Sequence, residues 1–361
     1  MEGIKMPRIK IGDRWIGENE QTYFIADIAA NHDGDLDRAK TLIHLAAKSG
    51  ADAAKFQNFQ AQKIVSRYGF SVMKQLSHQA KWKKSVYQIY MEASLPWEWT
   101  KELKEKCDSE GIDYLSTPYD LEVVDMLNPY VPAFKIGSGD ITWPEILETV
   151  ANKGKPVLLA TGASNIYDVR RAVNLIYSIN PDLVIMQCNT NYTCNKENFK
   201  YINLNVLKTY QALFPDCILG LSDHTPGHAT TLGAITLGAR VIEKHFTDDI
   251  AREGPDHLFS MTPETWREMV DRSRELEASL GNSEKKIENN EKETAIVQRR
   301  CLRAAQDIKA GTILNRELID ILRPAPSDAI YPYDLKKVIG KVLKEDIPKG
   351  DTLRLDRLED S

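Results

Sequence analysis

The sequence has no apolar run near the roughly 18 residues needed to cross a bilayer. Its opening stretch, MEGIKMPRIKIGDRW, lacks an apolar signal core. A cytoplasmic protein with no membrane partner is therefore expected. Cysteine is scarce: Cys107, Cys188, Cys194, Cys217 and Cys301 are an odd, scattered set without a C-x-x-C pair. Neither a disulfide framework nor a cysteine zinc site is indicated, and reduced thiols are the default. A basic excess is missing too, with 47 Lys and Arg against 52 Asp and Glu and a formal net charge of −5. That argues against general nucleic-acid binding but leaves room for a local basic pocket that takes a small anion.

What is present is a regular alternation of short apolar runs and helical patterns. The start, RIKIGDRWIG, alternates about Gly12-Asp13 and reads as a hairpin plugging the base of a barrel. Strands are predicted at Tyr23–Ala26, Ala53–Phe56, Tyr114–Ser116, Ala133–Ile136, Val157–Ala160, Val184–Gln187, Ile218–Leu221 and Val241–Glu243. Helices are predicted between them: one from Leu36, one from Pro96, then Leu121–Leu127, Pro144–Asn152, Tyr167–Ile179, Leu204–Phe214, His228–Leu237 and Pro263–Leu280. Eight strands, each followed by a helix, imply a parallel sheet closed into an α/β fold, the TIM (β/α)8 barrel. Val65–Met91 is long for a connection and is expected to hold an extra helix over the mouth.

The barrel is assigned to residues 1–280, a charged linker to 281–295 (GNSEKKIENNEKET and one residue more) and a compact terminal domain to 296–361. The terminal domain contains two similar phrases, DIKAGTIL and DIPKGDTL, which suggests internal pseudo-symmetry. Its size is marginal for independent folding.

In such a barrel the chemistry gathers at the C-terminal ends of the strands. Polar side chains follow every apolar run: Asp27, Asn31 and His32; Lys55 and Gln57; Thr117 and Tyr119; Lys135, Ser138 and Asp140; Thr161; Asn189, Thr190 and Tyr192; Ser222, Asp223 and His224; Lys244 and His245. One such residue is usually a helix cap. Eight in register are harder to dismiss. Lys55 and Lys135, with hydroxyls and glycine-flanked N–H groups, suit an anion bearing phosphate and carboxylate. A salt bridge at the rim is the competing reading for each lysine. His224 and His245 close adjacent strands and can share an exchangeable divalent metal. The bland alternative is two hydrogen-bonded rim histidines. His32 belongs to the site or caps a turn. His44 and His78 read as structural, and His228, His257, Cys188 and Cys194 have no assigned role.

The motifs ADIAANHDG, KFQ, STPYD, FKIGSGD, ATGAS, GLSDHT, EKHFTDD and GPDH resemble the sialic acid (nonulosonate) synthase family, and the segment with LRPAPSDAI resembles its antifreeze-like SAF domain. The resemblance covers nearly the whole chain. It implies condensation of phosphoenolpyruvate with the open-chain aldehyde of an N-acylated hexosamine, with release of phosphate. By match, Lys55, Thr117, Lys135, Ser138 and Ser222 would hold phosphoenolpyruvate, with Gln57 beside them. His224 and His245 would bind Mn2+ or Mg2+. Asn189, Thr190, Tyr192 and Asp256 match the sugar side. Arg323 matches an arginine that reaches the partner's active site, which implies a domain-swapped homodimer. Asp27 and Asp140, matched to catalytic positions, stand where the family typically has glutamate, a side chain about 1.5 Å longer. In the QCNTNYTCN loop, Asn189 and Thr190 fill the places of a Thr-Asn or Thr-Ser pair, and Thr193 replaces a proline. The acceptor implied is N-acetylmannosamine or a diacetamido-trideoxyhexose of the legionaminic or pseudaminic type. On the residues alone, a Schiff-base or metal aldolase acting on a sugar stays open, as does a non-catalytic sugar-binding paralogue.

Overall fold

The computed structural model describes residues 7–73 and 84–360. His78 lies outside the described residues. Two compact units divide the chain, residues 1–281 and 282–361.

The first unit opens with an antiparallel hairpin, β1 (Arg8–Ile11) and β2 (Arg14–Gly17). Gly12 turns it at φ 55°, a left-handed conformation that costs glycine least. Eight parallel strands follow: β3 (Tyr23–Asp27), β4 (Ala53–Asn58), β5 (Asp113–Pro118), β6 (Phe134–Ile136), β7 (Val157–Ala160), β8 (Leu183–Cys188), β9 (Ile218–Asp223) and β10 (Ala239–His245). Their order is β5-β4-β3-β10-β9-β8-β7-β6. β5 and β6, at the two ends of that order, lie against each other and close the barrel. All eight predicted strands are present, and most run one or two residues further than the apolar pattern alone suggests.

The helices are α1 (Leu36–Lys48), α2 (Ala61–Ile64), α3 (Arg67–Val72), α4 (Val86–Ala93), α5 (Trp99–Glu110), α6 (Leu121–Leu127), α7 (Pro144–Ala151), α8 (Ile166–Ile179), α9 (Val206–Leu213), α10 (Ala229–Thr236) and α11 (Pro263–Leu280). Their boundaries have local causes. The Asp35 side chain caps α1 by accepting from the Arg38 N–H, and Ala39, Leu42, Ile43 and Ala46 form its buried stripe. α11 starts with Pro263 after a Thr262 cap and buries Trp266, Met269 and Val270. α5 begins three residues after Pro96, because Pro96 and Trp97 form a preceding turn whose carbonyls accept from Trp99 and Thr100. Where one extra helix was expected within Val65–Met91, the described part carries α3 and most of α4.

Strand alternation makes two cores. Outward residues such as Phe24, Ala54, Phe134 and Ile185 pack under the helices. Inward residues Tyr23, Ile25, Ala53, Leu115, Ala133, Leu158, Val184, Met186, Ile218 and Val241 fill the barrel, joined by Ile9, Ile11 and Ile16 of the hairpin. Each fully buried aliphatic side chain contributes about 1.5–3 kcal/mol. The hairpin thus seals the base, as its alternating pattern predicts.

The second unit contains α12 (Lys292–Gln298), the paired strands β11 (Cys301–Ala304) and β12 (Ile319–Leu322), the short helix α13 (Leu335–Val338), and the pair β13 (Val342–Leu343) and β14 (Leu358–Glu359). α12 overlaps the end of the charged segment. Leu302, Ile308, Leu314, Ile319, Leu343 and Ile347 belong to its own core. The two similar phrases meet symmetrically. Ile308 and Ile347 exchange backbone hydrogen bonds of 2.8 and 2.9 Å. Asp307 accepts from the Lys349 N–H at 2.8 Å, and Asp346 accepts from the Ala310 N–H at 2.9 Å. Among the described residues, no helix is long and apolar enough to cross a membrane.

Candidate active site

The inward face of seven of the eight strands turns from apolar to polar on the way up, while β7 carries Ala160 above Leu158. Two residues along a strand return to the same face, about 6.6 Å further on. Above Ile25 comes Asp27, above Ala53 Lys55, above Leu115 Thr117, above Ala133 Lys135 and above Met186 Cys188. Above Val241 comes Glu243, and Ser222 lies four residues above Ile218 on β9. One further step up stand Gln57, His224 and His245. The mouth is therefore layered, with ionisable groups below and histidines above.

In the lower layer, Lys55 Nζ lies 2.8 Å from Asp27 Oδ2, with side chains 1% and 2% exposed. Lys55 also donates to Thr117 Oγ1 at 3.4 Å. Asp27 accepts from the Ala29 N–H at 3.1 Å and from Gln57 Nε2 at 3.2 Å. Burial by itself would lower the Lys55 pKa, but Asp27 and Glu243 outweigh it and raise the net value. Burial pushes the Asp27 carboxyl up, while the lysine beside it pulls it back. A second pair mirrors the first: Lys135 Nζ lies 3.1 Å from Glu243 Oε1, which also accepts from Ser222 Oγ at 3.1 Å. Burial favours protonation of Glu243, yet Lys135 and Lys55 hold it down to about 2. Its Oε2 is buried without a hydrogen-bond partner.

Ser138 Oγ accepts from the Gly162 N–H at 2.9 Å. A Cβ on Gly162 would meet Thr190 Cγ2 at 2.5 Å and Ser138 Oγ at 2.9 Å, so only glycine admits this approach. The Cys188 thiol interacts with Ser138 and Ser222, and burial raises its pKa. Asp140 follows β6. Burial raises its carboxyl to about 6, and Oδ2 is buried without a partner. Burial first, and the Asp140 charge after it, raise the pKa of the Tyr119 and Tyr90 hydroxyls, two groups that line a cavity beside His245.

In the upper layer the rings of His224 and His245 are 5.3 Å apart. Burial is the main force that lowers both, to about 4 and about 3, so both imidazoles are neutral at pH 7. His224 Nδ1 is hydrogen-bonded to the Asn189 carbonyl at 2.9 Å, leaving Nε2 for a ligand. His245 Nδ1 is buried without a partner. Two neutral imidazoles, one with an orphaned nitrogen, fit a divalent ion that completes its shell with water or substrate oxygens. Among the described residues, no group of three or more His, Cys, Asp or Glu has a metal-holding arrangement. Tyr192 and Phe259 wall the pair, with ring centroids 4.3 Å (Tyr192–His224) and 4.9 Å (Phe259–His245) apart.

A cavity of about 260 Å³ opens beside His245. Gln57, Tyr90, Tyr119, Tyr192 and Asp256 supply its polar groups, and Phe59, Ile89 and Pro255 its apolar wall. α4 carries Ile89 and Tyr90, so the connection after β4 does cover the mouth. Asp256 Oδ2 accepts from the Ala30 N–H at 3.2 Å, and burial raises its carboxyl to about 7.

Several candidates serve other ends. His32 Nδ1 accepts from the Gly34 N–H at 3.0 Å, the turn-capping alternative. The Asn189 side chain turns away, donating to the Tyr201 carbonyl at 3.3 Å and accepting from the Asn191 N–H at 3.2 Å. Its contribution to the mouth is its backbone carbonyl. Lys244 and Asp223 face outward and form a buried ion pair, with Thr225 and Thr230 also on Asp223. Arg323 follows β12 in the second unit, just before a cis Arg323–Pro324 bond. Sequence reasoning passed over Glu243, Tyr90 and Phe259. Glu243 was reachable, because it lies two residues from both Val241 and His245 on one strand face. Tyr90 and Phe259 carry no such signal, since each lies outside the barrel strands.

Residues 42–285 match the NeuB family, and residues 299–359 match an SAF domain. The N,N'-diacetyllegionaminic acid synthase of Campylobacter jejuni is 35% identical over 91% of this chain and 98% of its own length. The N-acetylneuraminate-9-phosphate synthase of Homo sapiens is 30% identical, covering 94% of this chain and 93% of that protein. The crystal structure of N-acetylneuraminic acid (sialic acid) synthetase from Leptospira borgpetersenii, in complex with citrate, aligns with a TM-score of 0.71 and 26% identity. That alignment covers 80% of this chain and 95% of the other. A closed eight-stranded barrel, a layered polar mouth and both matched segments in the same order lead to one assignment: this chain belongs to the NeuB family and carries a C-terminal SAF domain.

Proposed function

We propose that the protein is a nonulosonate synthase, which joins phosphoenolpyruvate to the open-chain aldehyde of an N-acylated hexosamine and releases phosphate. The observation that carries this reading is the lower layer, where two buried lysines with hydroxyls from three strands lie beneath two neutral histidines. Lys55, Lys135, Thr117, Ser138 and Ser222 bind the phosphate and carboxylate of phosphoenolpyruvate. Its C3 then attacks the aldehyde carbon: the enol electron pair forms the new C–C bond, the carbonyl π pair moves to the aldehyde oxygen, which takes up a proton to become a hydroxyl, and C2 becomes cationic. Water adds at C2, losing a proton to a carboxylate, and the resulting tetrahedral centre expels phosphate. Asp140 is the better base, since its Oδ2 is uncommitted and its carboxyl is raised to about 6. Asp27 is engaged with Lys55, Gln57 and Ala29, so it fixes the lysine rather than taking the proton.

His224 and His245 would hold Mn2+ or Mg2+, which supplies Lewis acidity and positive charge toward the aldehyde oxygen. Tyr192 and Asp256 contact the sugar, with Thr190 at the rim. The apolar wall of Phe59, Ile89 and Pro255 suits the acyl methyls and deoxy carbon of a diacetamido-trideoxyhexose better than the hydroxyl-rich N-acetylmannosamine. Arg323 from a second, domain-swapped subunit completes the acceptor side. A cytoplasmic homodimer is the form in which we expect it to work. A Schiff-base aldolase acting through Lys55 is disfavoured, because that chemistry needs a depressed lysine and Lys55 is raised.

The test incubates the protein with phosphoenolpyruvate, Mn2+ and a panel of N-acyl hexosamines while phosphate is measured. Release that requires both sugar and metal supports the synthase. Ligand binding without release from any sugar would establish a non-catalytic paralogue instead.

A further inference from the structure

The loop between β10 and α11 carries Asp256, and nothing in the proposed chemistry explains how it is held. The buried residue next to Asp256 is His257, which is 0% exposed. Its Nδ1 lies 2.8 Å from Thr247 Oγ1 at the start of the loop, and its Nε2 lies 3.0 Å from Asp33 Oδ1 in the turn after β3. A carboxylate only accepts, so Nε2 carries the hydrogen and Nδ1 is left for the threonine. Asp33 Oδ2 in turn lies 2.9 Å from Arg38 Nε. The same guanidinium grips Asp248 through two hydrogen bonds, of 3.1 and 2.7 Å, and Arg252 grips that carboxylate from the other side. The β3 turn and the β10 loop are thereby tied at two points, one on either side of the segment that leads to Asp256.

Two further observations point the same way. A Cβ on Gly254 would lie 2.5 Å from His257 Cδ2, so the loop is threaded against the imidazole with no space for a side chain. Asp33 itself sits at φ 52°, a left-handed conformation that aspartate tolerates and most residues do not. The Asp256 carboxylate also binds the β3 side directly, through the Ala30 N–H.

We propose that Asp33 and His257 form a clasp that positions Asp256, and with it the acceptor wall of the mouth. Both are positioning residues: they touch neither lysine pair and act only through the loop. The inference rests on the synthase reading for its kinetic arm, and on the fold alone for its structural arm.

The test compares wild-type protein with His257→Ala, His257→Gln, Asp33→Gly and Asp33→Asn. Hydrogen exchange is read over residues 248–257, and the Michaelis constants for sugar and phosphoenolpyruvate are measured separately. His257→Ala should speed exchange in that segment at least tenfold and raise the sugar constant about tenfold, corresponding to a loss of one positioning contact. The phosphoenolpyruvate constant should change less than about twofold. His257→Gln, whose amide can still donate to Asp33, should recover part of both effects. Unchanged exchange in the segment would overturn the clasp, whatever the kinetics. Faster exchange with an equal rise in both constants would overturn its assignment to the acceptor side. If no sugar is turned over by wild type, the synthase reading fails, while the exchange arm still decides the clasp. Should His257→Ala not fold, Asp33→Gly, which removes the acceptor and adopts positive φ freely, carries the same comparison, and Asp33→Asn, whose Oδ1 can still accept from His257, should lie nearer wild type.

Discussion

Replacing Glu243 with glutamine keeps the side chain's volume and removes its charge. Lys135 Nζ then loses an anion 3.1 Å away, in a pair whose side chains are 4% and 5% exposed. At an effective dielectric constant of about 20 the Coulomb attraction is about 5 kcal/mol. Removing one partner of a buried pair costs about 3–5 kcal/mol. For a unit of this size that lowers the melting temperature by about 5–10 °C. The loss depends on pH. Glu243 titrates near 2 when folded against an ordinary 4.5, so its contribution is complete above pH 4.5 and fades as pH falls toward 2. Wild type and Glu243→Gln should therefore converge in stability in strong acid. Phosphoenolpyruvate sharpens the test, because its phosphate or carboxylate can replace the missing anion at Lys135. Saturating ligand should raise the melting temperature of Glu243→Gln by more than that of wild type, read by thermal-shift fluorimetry. An unchanged melting temperature would refute the buried pair, and a smaller ligand shift in the variant would refute the assignment of Lys135 to the ligand's anion.

Asp140 as base predicts a turnover rate that rises with pH through about 6 and then levels, since the ionised form is the active one. Asp140→Asn should lower kcat at least a hundredfold while phosphoenolpyruvate still protects against thermal unfolding; near-normal kcat would reassign the base. Chelation should abolish phosphate release and Mn2+ should restore it, except in His224→Ala and His245→Ala; full restoration in both variants would remove the histidines from the metal site. If Arg323 serves the partner's site, mixing the inactive variants Arg323→Ala and Lys55→Met under conditions of subunit exchange should recover activity, and no recovery would place Arg323 in its own subunit's chemistry or outside it.

The barrel was legible because its strands are buried on both faces. Runs such as Val157–Ala160 and Ile218–Leu221 then stand out between helical patterns. Strand ends were cut short where polar residues begin: Gln57 and Asn58 continue β4, and Lys244 and His245 continue β10. The same polarity that marks the site thus hides the strand that holds it. Lys55 and Lys135 read as an anion site from sequence, with a salt bridge as the competing reading, and the structure pairs each with a carboxylate that the sequence pattern does not assign to it. Asp27 was read as catalytic, and its bond to Lys55 depends on β3 and β4 being neighbours in register, with Asp27 opposite Lys55. Glu243 faces Lys135 across the barrel from a strand that is not its neighbour, and no local pattern encodes that distance. His257 went unassigned for a similar reason, since Asp33 is 224 residues away along the chain.

The hairpin at the base makes the barrel a vessel with a single opening. Ile9, Ile11 and Ile16 fill the lower end, so nothing can pass through and every molecule must use the same route in both directions. The lysines stand one step beneath Gln57 and the histidines, so on the proposed reading phosphoenolpyruvate would lie at the bottom and the sugar above it. A sugar in that place would block the way down, so on the same proposal phosphoenolpyruvate is expected to enter first. The reverse order of departure is then expected, with the larger acid leaving before the phosphate beneath it. A seal made by three isoleucines at one end would, on this reading, set the sequence of events at the other.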